Sequence, residues 1–209
     1  MNILAIDTTA EFGSIALAGE EMLLHAPDGF GGVIFERIAQ LLHTTGLRLE
    51  EIDAFAAAAG PGSFTGVRIG LAAVKGLAEA LGRPAVGVSN LEALARFGTA
   101  ERRVAVIDAR RGEVYAAIYD RDGRRLMEET VCPFPALLAQ LPPEPVEFIS
   151  QSLAPFHGKH QVVEAPRAIA AMIGRIAAER LANGDPGEPA AIDANYVRRS
   201  DAELLFKPW

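Results

Sequence analysis

Apolar residues crowd the start of the chain: Ile3-Leu4-Ala5-Ile6 runs unbroken up to Asp7, the pattern of a central strand buried on both faces. Residues 13–18 predict its hairpin partner beyond a polar turn, and 21–25 predict a third short strand closed by Pro27-Asp28-Gly29. The spacing then changes. Ile34, Ile38, Leu41 and Leu42 form one stripe of an amphipathic helix over 31–45, with Gly46 as its stop. An alanine-rich buried strand at 54–59 runs into Gly60-Pro61-Gly62-Ser63 and a second helix, which carries Val67, Leu71, Val74 and Leu81 on one face and ends at Gly82-Arg83-Pro84. A short strand at 85–88 leads to Ser89-Asn90-Leu91-Glu92, a capping-box pattern that opens a brief helix.

From Arg103 the order begins again. Residues 104–108 predict a strand ending in Asp108, 113–119 its hairpin partner, and a third strand follows the Asp122-Gly123 turn. A short helix near 134–140, a strand at 146–150 and a helix over 168–181 complete the series. Asp7 and Asp108 occupy equivalent places. Two βββαβα units predict an α/β protein of two lobes, 1–100 and 101–209, with 183–209 as a tail packing over them. Within that tail Asn195-Tyr196-Val197-Arg198-Arg199 reads as a short strand or a docking arm. Of the 209 residues 50% are hydrophobic and only 22% charged, enough apolar surface to exclude global disorder.

Charge narrows the partners. A formal net charge of −7 leaves no clustered positive field for holding nucleic acid unaided, so any nucleic acid is expected to arrive through a partner. The four arginine pairs, Arg102-Arg103, Arg110-Arg111, Arg124-Arg125 and Arg198-Arg199, read as solvated turn and strand-edge positions. No apolar run is long enough to span a bilayer and the first residues lack a basic leader, so a cytoplasmic protein without membrane contact is expected. The single cysteine, Cys132, reads as a small, inert, buried side chain. Four histidines form no metal cluster: His25 ends a strand, His43 is near a helix end, and His157 and His160, with no third donor nearby, read as solvated surface residues.

The most distinctive string is Gly60-Pro61-Gly62-Ser63-Phe64-Thr65-Gly66-Val67-Arg68-Ile69-Gly70, at a strand-to-helix entry where backbone N–H groups are bared. Gly60, Gly62, Ser63, Thr65 and Arg68, with Asp7, Thr8 and Asp108, make up a candidate vestigial nucleotide or anion site. The string matches neither the Walker nor the dinucleotide glycine pattern. Its other reading is architectural: Gly60 and Gly62 form the turn, Ser63 caps the helix, and Gly66 with Gly70 admits a closely packed neighbour. Bulk at Phe12 and charge at Arg111 crowd the turns after the two aspartates, which also have a local backbone-bonding reading. The two helices suggest a protein interface through Ile34, Phe35, Ile38, Leu41, Leu42, Val67, Gly70, Ala73 and Val74.

The strings at 3–9, 60–70, 86–89 and 108–115, the last being Asp-Ala-Arg-Arg-Gly-Glu-Val-Tyr, together resemble the TsaB family, formerly called YeaZ. The resemblance extends over nearly the whole chain. It implies a two-lobed actin-like/Hsp70-like ATPase fold of ribonuclease H-like type. It further implies a non-catalytic role in making N6-threonylcarbamoyladenosine in tRNA, by pairing with and activating the transferase TsaD, with the ATPase TsaE joining. The helices of that pairing correspond to 33–45 and 64–81, and tRNA is met only within the complex. ATP and metal are expected on TsaD and TsaE, with no cofactor bound tightly by this chain alone. Phe30, Ile34 and Phe35 stand where a metal-binding helix would need histidines. The unpaired helices would suit a homodimer when the chain is alone. The competing reading, an ATP-dependent phosphotransferase or weak ATPase, would use Asp7, Asp108 and the turn at 60–68.

Overall fold

A computed structural model describes residues 1–156, 158 and 160–198. His157, Lys159, Arg199 and the rest of the expected tail lie outside the described residues. The chain divides into two compact units, the first made of Met1–Ala93 and Pro166–Ala194 and the second of Leu94–Ala165 with the segment beginning at Asn195.

Unit 1 is built on β1 (Ile3–Asp7), β2 (Phe12–Leu17), β3 (Glu20–His25), β4 (Ala54–Gly60) and β5 (Ala85–Ser89), in the sheet order β3-β2-β1-β4-β5. β1 is the hinge of the pairing: Ala5 lies opposite Ala16 in antiparallel β2 and opposite Ala56 in parallel β4. Side chains alternate across such a strand. Ile6 faces α2 (Phe64–Leu81), where Gly70 lies close to it, while Ala5 faces α5 (Ala170–Ala182) at Gly174. The sheet is therefore covered on both faces, which is why β1 and β4 are apolar without interruption. α1 (Ile34–Thr45) shares one apolar cluster with α2, containing Leu4, Ile6, Ile38, Leu41, Val67 and Val74. Gly46 and Gly82 end α1 and α2 in the left-handed conformation that glycine adopts without a Cβ penalty.

Unit 2 repeats the topology. Its strands are β6 (Arg102–Asp108), β7 (Glu113–Asp120), β8 (Arg125–Pro133), β9 (Glu147–Ser150) and β10 (Val162–Glu164), ordered β8-β7-β6-β9-β10. Ala105 sits opposite Ala117 in antiparallel β7 and Ile149 in parallel β9, the counterpart of Ala5 in unit 1. The duplicated α/β architecture is thus present strand for strand, with the first aspartate of each half ending the central strand.

The halves differ in their helices. α3 (Asn90–Ala95) follows β5, and its Leu91 and Glu92 N–H groups donate to the Ser89 hydroxyl at 3.1 and 3.4 Å, as the capping pattern predicted. α4 (Phe134–Ala139) matches α1 in order, but a single 3-10 turn at Ala154–Phe156 stands where α2 would recur. The helix expected over 168–181 is α5, and it packs on β1, β2, β4 and β5. This corrects the expected division at residue 100: the helix and the segment through Ala194 belong to unit 1. Ser14 draws it there, because its buried hydroxyl accepts from the Ile169 and Ala170 N–H groups at 3.1 and 2.9 Å. Residues 195–198 form no strand; Arg198 instead pairs with Glu113 and donates to the Ala109 carbonyl at 2.9 Å.

Candidate functional site

Asp7 ends β1 with only 2% of its surface exposed. Its Oδ1 accepts from the Thr9 N–H at 2.9 Å and the Thr9 hydroxyl at 2.6 Å. Asn90 Nδ2 donates to that same hydroxyl at 2.7 Å, and Asn90 Oδ1 accepts from the Gly60 N–H at 3.0 Å. One network therefore ties together the ends of β1, β4 and β5. Burial pushes the Asp7 carboxyl above its ordinary pKa, against the pull of the Thr9 and Asn90 hydrogen bonds, with a further upward push from Glu21.

The glycine-rich turn closes on this strand end. The Thr8 hydroxyl donates to the Gly66 carbonyl at 2.7 Å, and the Ser63 N–H donates to the Thr9 carbonyl at 2.6 Å. A Cβ at Gly66 would stand 1.9 Å from the Thr8 carbonyl oxygen, and one at Gly62 would stand 2.6 Å from that of Thr9. Ser63 caps α2 by accepting from the Gly66 N–H at 3.3 Å. Backbone of Thr8 and Thr9 thus lies closely against the entry to α2. Thr65 points outward, and the Arg68 guanidinium lies 3.8 Å from the centre of the Phe64 ring, a cation–π contact. The signature string joins β1 to α2.

Asp108, the topological equivalent in unit 2, is exposed, and its Oδ1 accepts from the Arg110 N–H at 2.8 Å. Both aspartates spend hydrogen-bonding capacity on the turn that follows them. Among the described residues no group of three His, Cys, Asp or Glu side chains gathers as a metal site would require. His160 is not a solvated surface residue: its ring packs edge-on, 5.4 Å from both Phe134 and Phe148. Cys132 is buried, and desolvation raises its thiol pKa. Among the described residues no helix is long and apolar enough to cross a membrane.

The helices correct the expected interface. Ile34, Ile38, Leu41, Val67, Gly70, Ala73 and Val74 are buried inside unit 1, where they cover its own sheet. Leu42 is half-buried against the same cluster. Of the nine residues, Phe35 alone is exposed, with 58% of its surface accessible. Also exposed are Ala39 on the same helix and Phe64, Ala72 and Gly76 on α2. Phe30, at the entry to α1, is buried beside Gly13. Sequence reasoning also missed the Asn90 bridge; the one available signal was an amide residue directly at the end of β5.

The model of the family of TsaD, tRNA N6-adenosine threonylcarbamoyltransferase, matches residues 32–182. The TsaB biosynthesis protein of Escherichia coli is 44% identical over 130 residues, which cover 58% of this chain and 56% of that protein. Its Bacillus subtilis counterpart is 35% identical over 139 residues, covering 63% and 60%. The matches thus span little more than half the length of these curated relatives. The solved structure of YeaZ from Pseudomonas aeruginosa superposes with a TM-score of 0.78 at 30% identity, over 93% of this chain and 99% of that one. Fold, the helix-entry string and the level of identity agree, and the chain belongs to the TsaB/YeaZ family, within the wider group described by the TsaD domain.

Proposed function

We propose that this protein is a non-catalytic subunit in the synthesis of tRNA N6-threonylcarbamoyladenosine, docking and activating TsaD, with TsaE as a further member of the assembly. The observation that carries the docking role is the outer face of α1 and α2. Phe35, Ala39, Phe64, Ala72 and Gly76 are exposed on these helices, two aromatics and three small residues, while the regular apolar stripe of each helix is already used in the core. Small residues let a partner helix approach closely and exposed aromatics anchor interfaces. The non-catalytic reading rests on Asp7 and Asp108, both bonded to their own turns, and on the backbone that lies against the α2 entry. The same features weigh against an ATP-dependent phosphotransferase. Activation would follow from binding the competent conformation of TsaD more tightly than its alternatives.

Phe35→Glu and Ala72→Arg test the docking face. Each is expected to leave the melting temperature of the isolated chain within a few degrees, since neither position is in the core, and to weaken association with TsaD by at least about tenfold, the scale of losing one interface anchor. Reconstituted tRNA modification should fall with it. Wild-type association and wild-type modification by both variants would reject the reading.

A further inference from the structure

β3 forms one edge of the first sheet: it pairs with β2 along its whole length, and among the described residues no strand lies on its other side. Half of its backbone N–H and C=O groups therefore point away from the sheet, a template for a further strand. Natural edges are commonly blunted by charges or proline within the strand. Here the two carboxylates, Glu20 and Glu21, stand together at the start, and Met22-Leu23-Leu24 occupies the middle with 49% of Leu23 exposed.

An open groove of about 480 Å³ is lined by β3 from Met22 to His25, by Ala26, and by Arg37 and Gln40 of α1. Side chains alternate across a strand. Leu24 is buried in the cluster that holds Ile38 and Leu41 of α1, and Met22 packs against that cluster, so Glu20 lies on the α1 side of the sheet. Glu20 is exposed, with no side-chain hydrogen bond or ion pair among the described residues. Arg37 donates to the neutral Gln40 side chain at 2.9 Å and has no carboxylate partner among them.

We propose that β3 pairs antiparallel with β3 of a second copy of this chain, about a two-fold axis at Leu23, joining the two sheets edge to edge. The order of side chains along the strand favours this pairing over its alternatives. A parallel, in-register pair would set Glu20 and Glu21 against their own copies, and like charges directly opposite are destabilising. An antiparallel pair about Met22 would set Glu21 against Leu23 and Glu20 against Leu24. About Leu23, the two exposed leucines meet and Met22 falls opposite Leu24 of the second copy. Glu20 then falls opposite the second copy's Ala26, at the groove that Arg37 lines. Glu21, whose Oε1 accepts from the Ala171 N–H at 2.9 Å, falls opposite the second copy's His25, so no two carboxylates are opposed. The two-fold repeats the complementarity of Glu20 and Arg37 and closes the contact at a dimer. Six residues of strand span about 20 Å, so the contact is small and the dimer weak, with a Kd on the order of 100 µM. The pairing uses neither Phe35 nor the exposed residues of α2.

Sedimentation equilibrium of the full chain, from low micromolar to submillimolar concentration, tests the pairing. The parent is expected to pass from monomer to dimer. Leu23→Lys sets two ammonium groups against each other at an exposed position, and should weaken the dimer by at least about tenfold without lowering the melting temperature. Glu20→Arg and Arg37→Glu should each weaken it severalfold, and the two combined in one chain should restore it. Leu23→Cys should form an intermolecular disulfide under mild oxidation, because directly opposed residues of antiparallel strands lie within disulfide reach. Glu20→Cys should not, nor should the parent, whose Cys132 is buried. The proposal fails if the parent stays monomeric, if Leu23→Lys dimerises as the parent does, if the two charge reversals do not compensate each other, or if Leu23→Cys and Glu20→Cys cross-link alike. A dimer lost in Phe35→Glu and intact in Leu23→Lys would place self-association on the helices and equally overturn it.

Discussion

Asp7 shows how one residue can carry a catalytic and a structural reading at once. A carboxylate at the end of a central strand is where a phosphotransferase would hold a metal, and the sequence alone cannot separate that use from a turn clamp. Burial and the two Thr9 bonds to its Oδ1, backed by Asn90 on the Thr9 hydroxyl, support the clamp. The raised pKa has a consequence whose sign can be worked out. Below the ordinary carboxyl pKa of 3.8 the group is protonated in both the folded and unfolded states. As pH rises, the unfolded chain ionises first while the buried carboxyl resists, so the folded state binds more protons and stability falls until the folded pKa is passed. Asp7→Asn keeps an oxygen for Thr9 and removes the titration. Urea midpoints measured at about pH 4 and pH 7 should therefore show the variant gaining on the parent as pH rises. A constant difference across that range would contradict the assignment.

Among elements, α2 carries two glycines whose roles are opposite, and sequence gives them equal weight. Gly66 faces the Thr8 carbonyl, where an added methyl would stand 1.9 Å from a backbone oxygen that no rotamer change can move. Gly66→Ala is expected to destabilise the chain by about 3 kcal/mol, at the severe end of overpacking. Gly76 is exposed in the helix interior with nothing within 4 Å, so Gly76→Ala should stabilise by roughly 1 kcal/mol through helix propensity. Urea denaturation of both variants reads the contrast, and equal effects would contradict the close approach. The apolar runs of β1 and β4 and the stripes of α1 and α2 were legible because each pattern is long and regular. β10 was not, since its three residues hold only Val162 and Val163 as apolar positions. The same regularity misdirected the interface. Periodic positions such as Ile38 and Val74 face the core by the logic of amphipathicity, and what faces outward is the irregular remainder, Phe35, Ala72 and Gly76.

For the whole molecule, the repeat was readable as an order of elements, but the sheet that each helix covers was not, because periodicity specifies a buried face without naming what buries it. α5 is separated from α2 by a complete second sheet in the sequence, yet Ile169, Ile173 and Ile176 are all buried in unit 1. Removing them would forfeit roughly 5–9 kcal/mol of burial, comparable with the total stability of a domain. The Ser14 hydroxyl would also lose its Ile169 and Ala170 partners, and Ala5 its cover at Gly174. A chain ending at residue 100 should therefore lack a cooperative thermal transition, although it contains all five strands of the first sheet. Joining 166–194 to 1–93 through a glycine–serine linker should restore that transition, because the helix docks on strands the shorter chain already has. Far-UV circular dichroism against temperature distinguishes the two. A cooperative melt from 1–100 alone, close to that of the linked chain, would show that the first sheet needs no helix from the far side of the second.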